Sequence, residues 1–600
     1  VHNEVNMTTY KAPLEDIRFV IKELIGLEKL NQLPGLEGAT EDIVDPVLDE
    51  AAKLASEVLA PINSEGDQHG SEVKDKSVVS APGFAEAYQQ YSEGGWSAIA
   101  GDPDFGGMGL PETIASAIAE MWQGSNLAFS LCPLLTQGAI DAIHQHGSQE
   151  LKEKYLPKMI SGEWTGTMNL TEPQAGSDLA AVASKAVLEK DHFRISGTKI
   201  FITWGDQEFT ENIIHLVLAR LPDAPAGVKG ISLFLVPKYL VDVNGDKGAR
   251  NDVYATSVEH KLGIHASPTC VMNFGDNEGA IGYLVGPPNN GLACMFTMMN
   301  HARLSVGVQG LGIAEAAYQQ ALAYAKERMQ GGMPGNSGRV AIIKHPDVRR
   351  MLMLMKSQIE AMRAVAYTTI AHLDIAHCAE SEHERANADV RVGLLTPIVK
   401  GWLTEAAQEI ASLNIQIHGG MGFVEETGAA QLYRDARILP IYEGTTGIQA
   451  LDLVGRKILR DSGAGITSLI SDMKSTLSEL NGLGKSLSDI AESLQYAIDH
   501  LEKAIAWLAG SVRENPAEAG ACGVNLLMMM GVCCGSWQMA RSTLAAKVKL
   551  ETDDGDPRFL NSKLTTTCFF NQHVLTRASG YLASIVGGSD SMMVLAEDAF

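Results

Sequence analysis

Met168-Asn169-Leu170-Thr171-Glu172-Pro173-Gln174-Ala175-Gly176-Ser177-Asp178, read with Gly197-Thr198-Lys199-Ile200-Phe201-Ile202-Thr203-Trp204-Gly205 downstream, decides how this 600-residue chain is organised. The two stretches lie in a region, from Thr165 to about Val285, where short apolar or alternating runs alternate with Gly, Pro and Asp clusters. Phe193-Arg194-Ile195, Ile213 to Ala219 and Ile231 to Val236 read as strands of a small β domain. The flanking pattern is helical. Asp45 to Leu54 carries apolar residues at helical spacing with acids near its start, and Pro111-Glu112 sets up a helix through Ala119. Beyond Gly291, helices are expected over Met295 to Met329, His345 to Ala376, Asp389 to Ile417 and Gly447 to Leu459, long enough for a bundle with coiled-coil-like packing. Gly331 to Gly338 reads as a loop, and Asp461-Ser462-Gly463-Ala464-Gly465 as a break before a further helical segment. The expected fold is mainly α with a central β domain (α+β). It has a helical N-terminal domain over 1–164, a β-barrel or sandwich over 165–287, a helical bundle over 288–460 and an extra helical domain over 467–600.

Six hundred residues exceed what one core holds, which agrees with several domains. A composition 45% apolar and 20% charged is that of a globular protein. The formal charge of -25 disfavours nucleic acid and anionic membrane as partners. No uninterrupted apolar run reaches the roughly 20 residues of a membrane span, and Val524 to Cys534 reads as a buried helix. Eight cysteines without a Cys-x-x-Cys pair are expected to be reduced thiols in a cytoplasmic protein. The N-terminus lacks a signal-peptide layout, and Val1 to Asn6 ahead of Met7 read as foreign to the natural chain.

A second stretch brings in chemistry: Arg434-Asp435-Ala436-Arg437-Ile438-Leu439-Pro440-Ile441-Tyr442-Glu443-Gly444-Thr445-Thr446-Gly447-Ile448-Gln449. It sets one carboxylate, Glu443, between an apolar run and a Gly-Thr-Thr turn. Carboxylates avoid burial unless paired or used. Desolvation by the run would raise the Glu443 pKa, as a general base near neutral pH requires, and the turn would let the backbone approach a ligand. The competing reading is a Glu at a helix start, supported by the helix dipole.

Taken together, these stretches resemble the signatures of the acyl-CoA dehydrogenase family of FAD flavoproteins. Phe105-Gly106-Gly107-Met108-Gly109, Gly230 to Pro237, Lys261-Leu262-Gly263 and Gln416-Ile417-His418-Gly419-Gly420-Met421-Gly422 match further family motifs, so the resemblance spans most of the chain. It implies α,β-dehydrogenation of an acyl-CoA thioester. A base removes the Cα proton while hydride leaves Cβ for an electron-poor ring. The base matches Glu443, with its own N–H as an oxyanion donor, and Tyr442 and Gly444 beside the substrate. Met168, Leu170 and Thr171 match the segment at the isoalloxazine, Gly176 and Ser177 the phosphate turn, and Phe201 and Thr203 the ring contacts. By spacing alone Phe201 reads as core; only the resemblance lifts it. Arg328, Gln416 and Gly420, with Thr445 near the adenosine end, match residues that relatives use across a subunit interface. That implies a homodimer or dimer of dimers. Asn300 and Arg303 match a polar pair that holds CoA, against an exposed polar helix face as the plain alternative. Gly419-Gly420 follows a helical pattern without a βαβ setting and is no NAD site.

The sequence departs from the family in places. Trp204 stands where many relatives have Asn, Asn169 where the residue is usually small, and Gly447 where a polar side chain often reaches the adenosine. The loop after Arg328 is longer and Gly-rich. No metal is expected, because the spacing of His372, His377 and His383 does not put them on one helical face. The long tail, the opening Tyr10 to Phe19 and Gly447 to Leu453 look most like a long-form subgroup. That subgroup oxidises a short thioether acyl-CoA, 3-(methylthio)propanoyl-CoA, in bacterial breakdown of dimethylsulfoniopropionate. Other long forms oxidise fatty acyl-CoAs, and one methylene is worth only about 1–3 kcal/mol of discrimination. The expected electron acceptor is an electron-transferring flavoprotein. An oxidase using oxygen and a non-catalytic flavin-binding module on the same fold are the alternatives.

Overall fold

Alternation along two strands builds the centre of the computed structural model, which describes residues 10–333, 338–483 and 487–600. In Asn212–Arg220 and Ile231–Pro237 nearly every residue is buried. Ile214, Leu216, Leu218, Ile231, Leu233 and Leu235 face one apolar cluster, while Val217, Ala219, Phe234 and Val236 face another. A strand covered on both faces needs such a continuous apolar run, and the period of two divides it between the layers.

The strands among the described residues are β1 (Glu72–Lys74), β2 (Ser77–Val79), β3 (Trp164–Asn169), β4 (Lys185–Glu189), β5 (His192–Thr203) and β6 (Asn212–Arg220). They continue with β7 (Ile231–Pro237), β8 (Tyr239–Val241), β9 (Lys247–Arg250), β10 (Val253–Val258), β11 (Thr269–Phe274) and β12 (Ala280–Val285). The main sheet has eight strands in the order β10-β11-β5-β12-β7-β6-β3, with β4 pairing both β5 and β6. The strands β4, β5, β12, β7 and β6 therefore close into a ring, the barrel part of the expected fold. Strand β5 serves the ring with its first half and β11 with its second. It turns at Gly197, whose φ is 149°; a Cβ there would sit 2.3 Å from the Ser184 hydroxyl.

Two units are distinguished by internal contacts: Val1–Glu50, Pro111–Gly124 and Val306–Phe600 in one; Ala51–Leu110 and Ser125–Ser305 in the other. In the β-containing unit, helices Leu127–His146 and Gln149–Ile160 cover one sheet face through Ala139, Ile143, Leu156 and Met159. Contact is close at Gly166, where a Cβ would meet Ala139 at 2.6 Å and the amide donates to the Thr136 hydroxyl at 3.0 Å.

The helical unit is built on Pro346–Cys378, Glu382–His418 and Ala517–Glu551. Several expected helix bounds move. Glu382–His418 begins before Asp389 because Ser381 caps it, accepting from Glu384 N at 3.4 Å. The helix from Pro111 runs on to Ser125, and Gly291–Glu327 replaces Met295 to Met329. The last bundle helix is Thr446–Asp452, followed by a π-helical stretch over Leu453–Leu459. Pro334 to Ser337 of the expected loop, and Val1 to Asn6, lie outside the described residues.

Ala517–Glu551 is longer than the Val524 to Cys534 run suggested. Its best 18-residue window has a mean hydropathy of 1.5, enough by length and composition for a membrane span, yet 67% of that window is buried inside the protein. The same unit holds a buried ionic cluster. Arg363 is 1% exposed and bonds to Glu120 at 2.5 Å, to Glu315 at 2.8 Å and to Asp16. Lys563 in the tail also bonds to Asp16. Burial works against the Asp16 carboxylate, but Lys563 and Arg363 hold it well below the usual range. The eight cysteines are all free thiols.

Candidate active site

In the helical unit, Leu439 and Pro440 are buried while Ile441 is 46% exposed, so the apolar run anchors only one side of the turn that follows. Amides of Ile441 and Tyr442 both donate to Ile438 O, at 2.9 and 3.1 Å, and curl the chain back. Glu443 is half-buried, with φ 57°. A left-handed backbone at a non-glycine residue costs about 1–3 kcal/mol and persists only where the surroundings impose it. The surroundings here are specific. Gln449, fully buried, donates to Glu443 O at 3.1 Å; Lys400, also fully buried, donates to Gly444 O at 2.7 Å. Gly444, φ 91°, has no room for a Cβ, which would lie 2.8 Å from Gln449 Nε2. The Thr446 hydroxyl donates to Glu405 at 2.6 Å, and exposed Thr445 caps the next helix by accepting from Ile448 N at 3.3 Å. Tyr442 donates its hydroxyl to Gln309 Oε1. Burial, and then the charge of Glu443, push that hydroxyl well above its usual range, so it stays a neutral donor. Glu443 does not cap the helix that follows; it lies two residues ahead of the cap, Thr445.

At one end of the same unit, Tyr324 stacks on His418 with ring centroids 4.3 Å apart. The stack brings together the ends of Gly291–Glu327 and Glu382–His418, and with them Arg328, Gln416 and Gly420, all exposed. Beyond the Cβ position of Gly420 nothing lies within 4 Å.

In the β-containing unit, β3 delivers Met168 and Asn169 buried, then Leu170 and Thr171 half-buried, and Gly176 and Ser177 on an exposed turn. A buried ion pair clamps this segment. Lys199 Nζ donates to Glu172 Oε1 at 2.7 Å and to Leu170 O at 3.0 Å. Glu172 also accepts from Ala183 N at 2.8 Å, from Ser184 N at 3.1 Å and from the Ser184 hydroxyl at 2.6 Å. Burial would raise the Glu172 carboxyl, but Lys199 holds it down at about 2; burial in turn pulls the Lys199 ammonium down to about 8. Neutral pH lies between the two values, so both groups are charged.

Phe201 is not core. Between Cys270 and Met272 of β11 the register of β5 slips by one residue, a β-bulge, and Phe201 has φ 59° and is 58% exposed. A bulge re-aims the side chain it carries. Thr203, half-buried, closes the strand, its carbonyl accepting from the Thr167 hydroxyl at 2.7 Å. The two departures nearby are packing devices. Trp204 is buried, donates to Ala128 O at 3.1 Å and stacks on Phe84. Asn169 is buried against His215, whose ring burial keeps neutral by pulling its pKa to about 3. Arg303 is 9% exposed and donates to Asn300 Oδ1 at 3.3 Å, so the exposed-face alternative fails for Arg303 while Asn300 is exposed.

Four family models match in order. They are the acyl-CoA dehydrogenase N-terminal domain over 45–163, the middle domain over 167–277, the C-terminal domain over 289–459 and an acetyl-CoA dehydrogenase C-terminal-like domain over 469–596. A protein of Ruegeria pomeroyi named 3-methylmercaptopropionyl-CoA dehydrogenase is 46% identical over 588 residues, 98% of this chain and 99% of its own length. The chain belongs to the acyl-CoA dehydrogenase family. A butyryl-CoA dehydrogenase of Syntrophomonas wolfei is 35% identical over 615 residues, 98% of this chain and 99% of its own. The fold recurs in a Bacillus anthracis acyl-CoA dehydrogenase complexed with FAD, with TM-score 0.72 and 21% identity over 93% of this chain and 90% of that one.

As a member of this family the protein is an oxidoreductase, an acyl-CoA dehydrogenase with FAD as cofactor. Its residues fit such a group. An aromatic ring held outward by a bulge offers a stacking face, the exposed Gly176-Ser177 turn leaves open space, and Thr171 and Thr203 supply hydroxyls. Three supporting residues escaped the sequence reading: Lys400, Gln449 and the Glu172 partner role of Lys199. The one available signal was Lys400 alone inside the apolar run Pro397-Ile398-Val399-Lys400-Gly401-Trp402.

Proposed function

We propose that the protein oxidises 3-(methylthio)propanoyl-CoA to its 2-enoyl-CoA, a step in breakdown of dimethylsulfoniopropionate. The thioester makes the Cα proton removable by stabilising the enolate. Glu443 takes that proton, and its own backbone N–H donates to the thioester oxygen. FAD, when bound, supplies the hydride acceptor for Cβ. Met168, Leu170, Thr171, Phe201 and Thr203 would hold its ring and Gly176 and Ser177 its phosphates; Arg328, Gln416 and Gly420 would hold part of a second copy's FAD, Arg328 at the pyrophosphate through its bidentate fork, with Thr445 near the adenosine end. Asn300 and Arg303 hold CoA, with Tyr442 and Gly444 flanking the acyl group. The observation that carries the catalytic reading is Glu443 kept at φ 57° by two buried donors on its own and the next carbonyl. The thioether substrate is supported by the 46% identity over nearly the whole length of both chains. A fatty acyl-CoA is the second reading, favoured by the 35% identity to a butyryl-CoA dehydrogenase.

This reading also takes an electron-transferring flavoprotein as acceptor, a homo-oligomer and a cytoplasmic setting. The domain division at 164/165, 287/288 and 460/467 is part of it, supported by the four matched stretches, each of which falls inside one segment. Bleaching of the bound flavin by a panel of thioether and alkyl acyl-CoAs tests the substrate. Glu443→Gln is expected to keep FAD and to lose anaerobic reduction by substrate; full reduction in that variant removes the mechanism. Peroxide release matching turnover would point to an oxidase, and an FAD-loaded, active monomer would refute the oligomer.

A further inference from the structure

Both elements that hold the Glu443 turn lie against helix Ala517–Glu551. Lys400, on Glu382–His418, is followed by Gly401 and Trp402. A Cβ on Gly401 would sit 2.8 Å from Leu527, and one on Gly531 would sit 2.2 Å from Trp402 Cγ. Gln449, on Thr446–Asp452, is followed by Ala450, and a Cβ on Gly523 would lie 3.3 Å from Ala450 Cβ. Glycines at Gly523 and Gly531, eight residues apart on Ala517–Glu551, thus admit two other helices at close range. A buried ammonium is costly, and an apolar side chain would fill the Lys400 position at lower cost. What the ammonium adds is direction: its Nζ holds the Gly444 carbonyl at 2.7 Å, as Gln449 holds that of Glu443 at 3.1 Å. An open left-handed turn would relax unless both donors kept their places.

We propose that helix Ala517–Glu551 is a positioning element for the base. It fixes Lys400 through Gly401 and Trp402, and Gln449 through Ala450, and so sets the successive carbonyls of Glu443 and Gly444. The extra C-terminal segment then acts on the rate of proton removal without touching substrate. The inference rests on the reading of Glu443 as the base.

A matched pair of substitutions on the full-length, FAD-loaded protein tests it. Gly523→Val pushes on Ala450. Gly520→Val makes the same change one turn away on the same helix, where nothing lies within 4 Å of the added carbon. Gly523→Val is expected to lower the limiting rate of anaerobic flavin reduction by about tenfold, within the range that a displacement near 1 Å produces. The dissociation constant for acyl-CoA should stay within about twofold, as uniform binding is untouched. Amide exchange in the peptide covering 438–450 should speed up in Gly523→Val, and Gly520→Val should match the parent in both readouts. Lys400→Met and Gln449→Leu should show the same split between rate and binding, with the double variant no worse than the poorer single one. If Lys400→Met does not fold, Gly523→Val and Gln449→Leu carry the test. A parental reduction rate in Gly523→Val, or a loss confined to substrate binding or FAD content, overturns the proposal. An inactive Glu443→Gln beside fully active Gly523→Val and Lys400→Met overturns this inference alone, whereas an active Glu443→Gln removes the catalytic reading itself.

Discussion

Replacing Lys199 by Met should loosen the segment 168–177 of the β-containing unit far more than removing the whole ion pair does. Glu172, ordinarily near 4.5, is held at about 2; Lys199, ordinarily near 10.5, is pulled down to about 8. Lys199 favours the Glu172 carboxylate while burial disfavours both charges, so the intact pair adds little net stability, as expected of a buried salt bridge. Lys199→Met alone strands a carboxylate in a residue only 4% exposed. Breaking a buried pair costs about 3–5 kcal/mol. The low end applies, because Glu172 keeps its bonds from Ala183 N, Ser184 N and the Ser184 hydroxyl. The same change frees Leu170 O, so, with Leu170 and Thr171 proposed at the flavin ring, FAD affinity should drop by about 100-fold, equivalent to roughly 2.7 kcal/mol. Urea unfolding of apoprotein measures the first quantity, and FAD retained after ultrafiltration the second. The double variant Glu172→Gln/Lys199→Met should lie within about 1 kcal/mol of the parent. A single variant as stable as the parent, or a double variant worse than the single, would refute the reasoning.

Arg363→Met should destabilise the helical unit by about 3–5 kcal/mol in urea, because it leaves Glu120, Glu315 and Asp16 without their shared cation. Asp374, raised by burial to about 6, accepts from Glu112 N at 2.7 Å and from the Thr113 hydroxyl at 2.6 Å. A carboxyl raised in the fold contributes stability that is complete below its unfolded pKa near 3.9 and is lost as pH rises through about 6. The parent should therefore lose roughly 2 kcal/mol more than Asp374→Asn between pH 4 and pH 7.5; parallel stability curves for the two would exclude it. Arg303→Ala should raise KM for the acyl-CoA by about tenfold with kcat unchanged, the signature of uniform binding. An unaltered KM takes Arg303 out of the CoA site.

Much of this was legible in the residues. Ile213 to Ala219 and Ile231 to Val236 announce strands as short apolar runs bounded by Gly, Pro and Asp clusters, and both became buried members of the sheet, covered on both faces. The motifs around Met168, Phe201 and Glu443 announced the family because several ordered patterns over hundreds of residues are rarely coincidental. Helix ends were less legible. Ser381 starts a helix seven residues before Asp389 through one capping bond, and sequence gives such a bond little weight against periodicity.

By itself, then, the order of residues determined the class of the long segments, the family and the candidate base, since these follow from local periodicity and short motifs, while the short hairpin Glu72–Lys74/Ser77–Val79 inside the expected helical segment was not legible. Only the tertiary structure decided that Phe201 stands outward rather than in the core, because that depends on a one-residue slip against β11, a partner strand about 70 residues away. Only it decided that Lys400 and Gln449 reach the carbonyls of Gly444 and Glu443, and that the tail helix lies behind them. Contacts of that kind join residues far apart in the chain, and what selects them is the packing of whole helices, which no single stretch of sequence encodes.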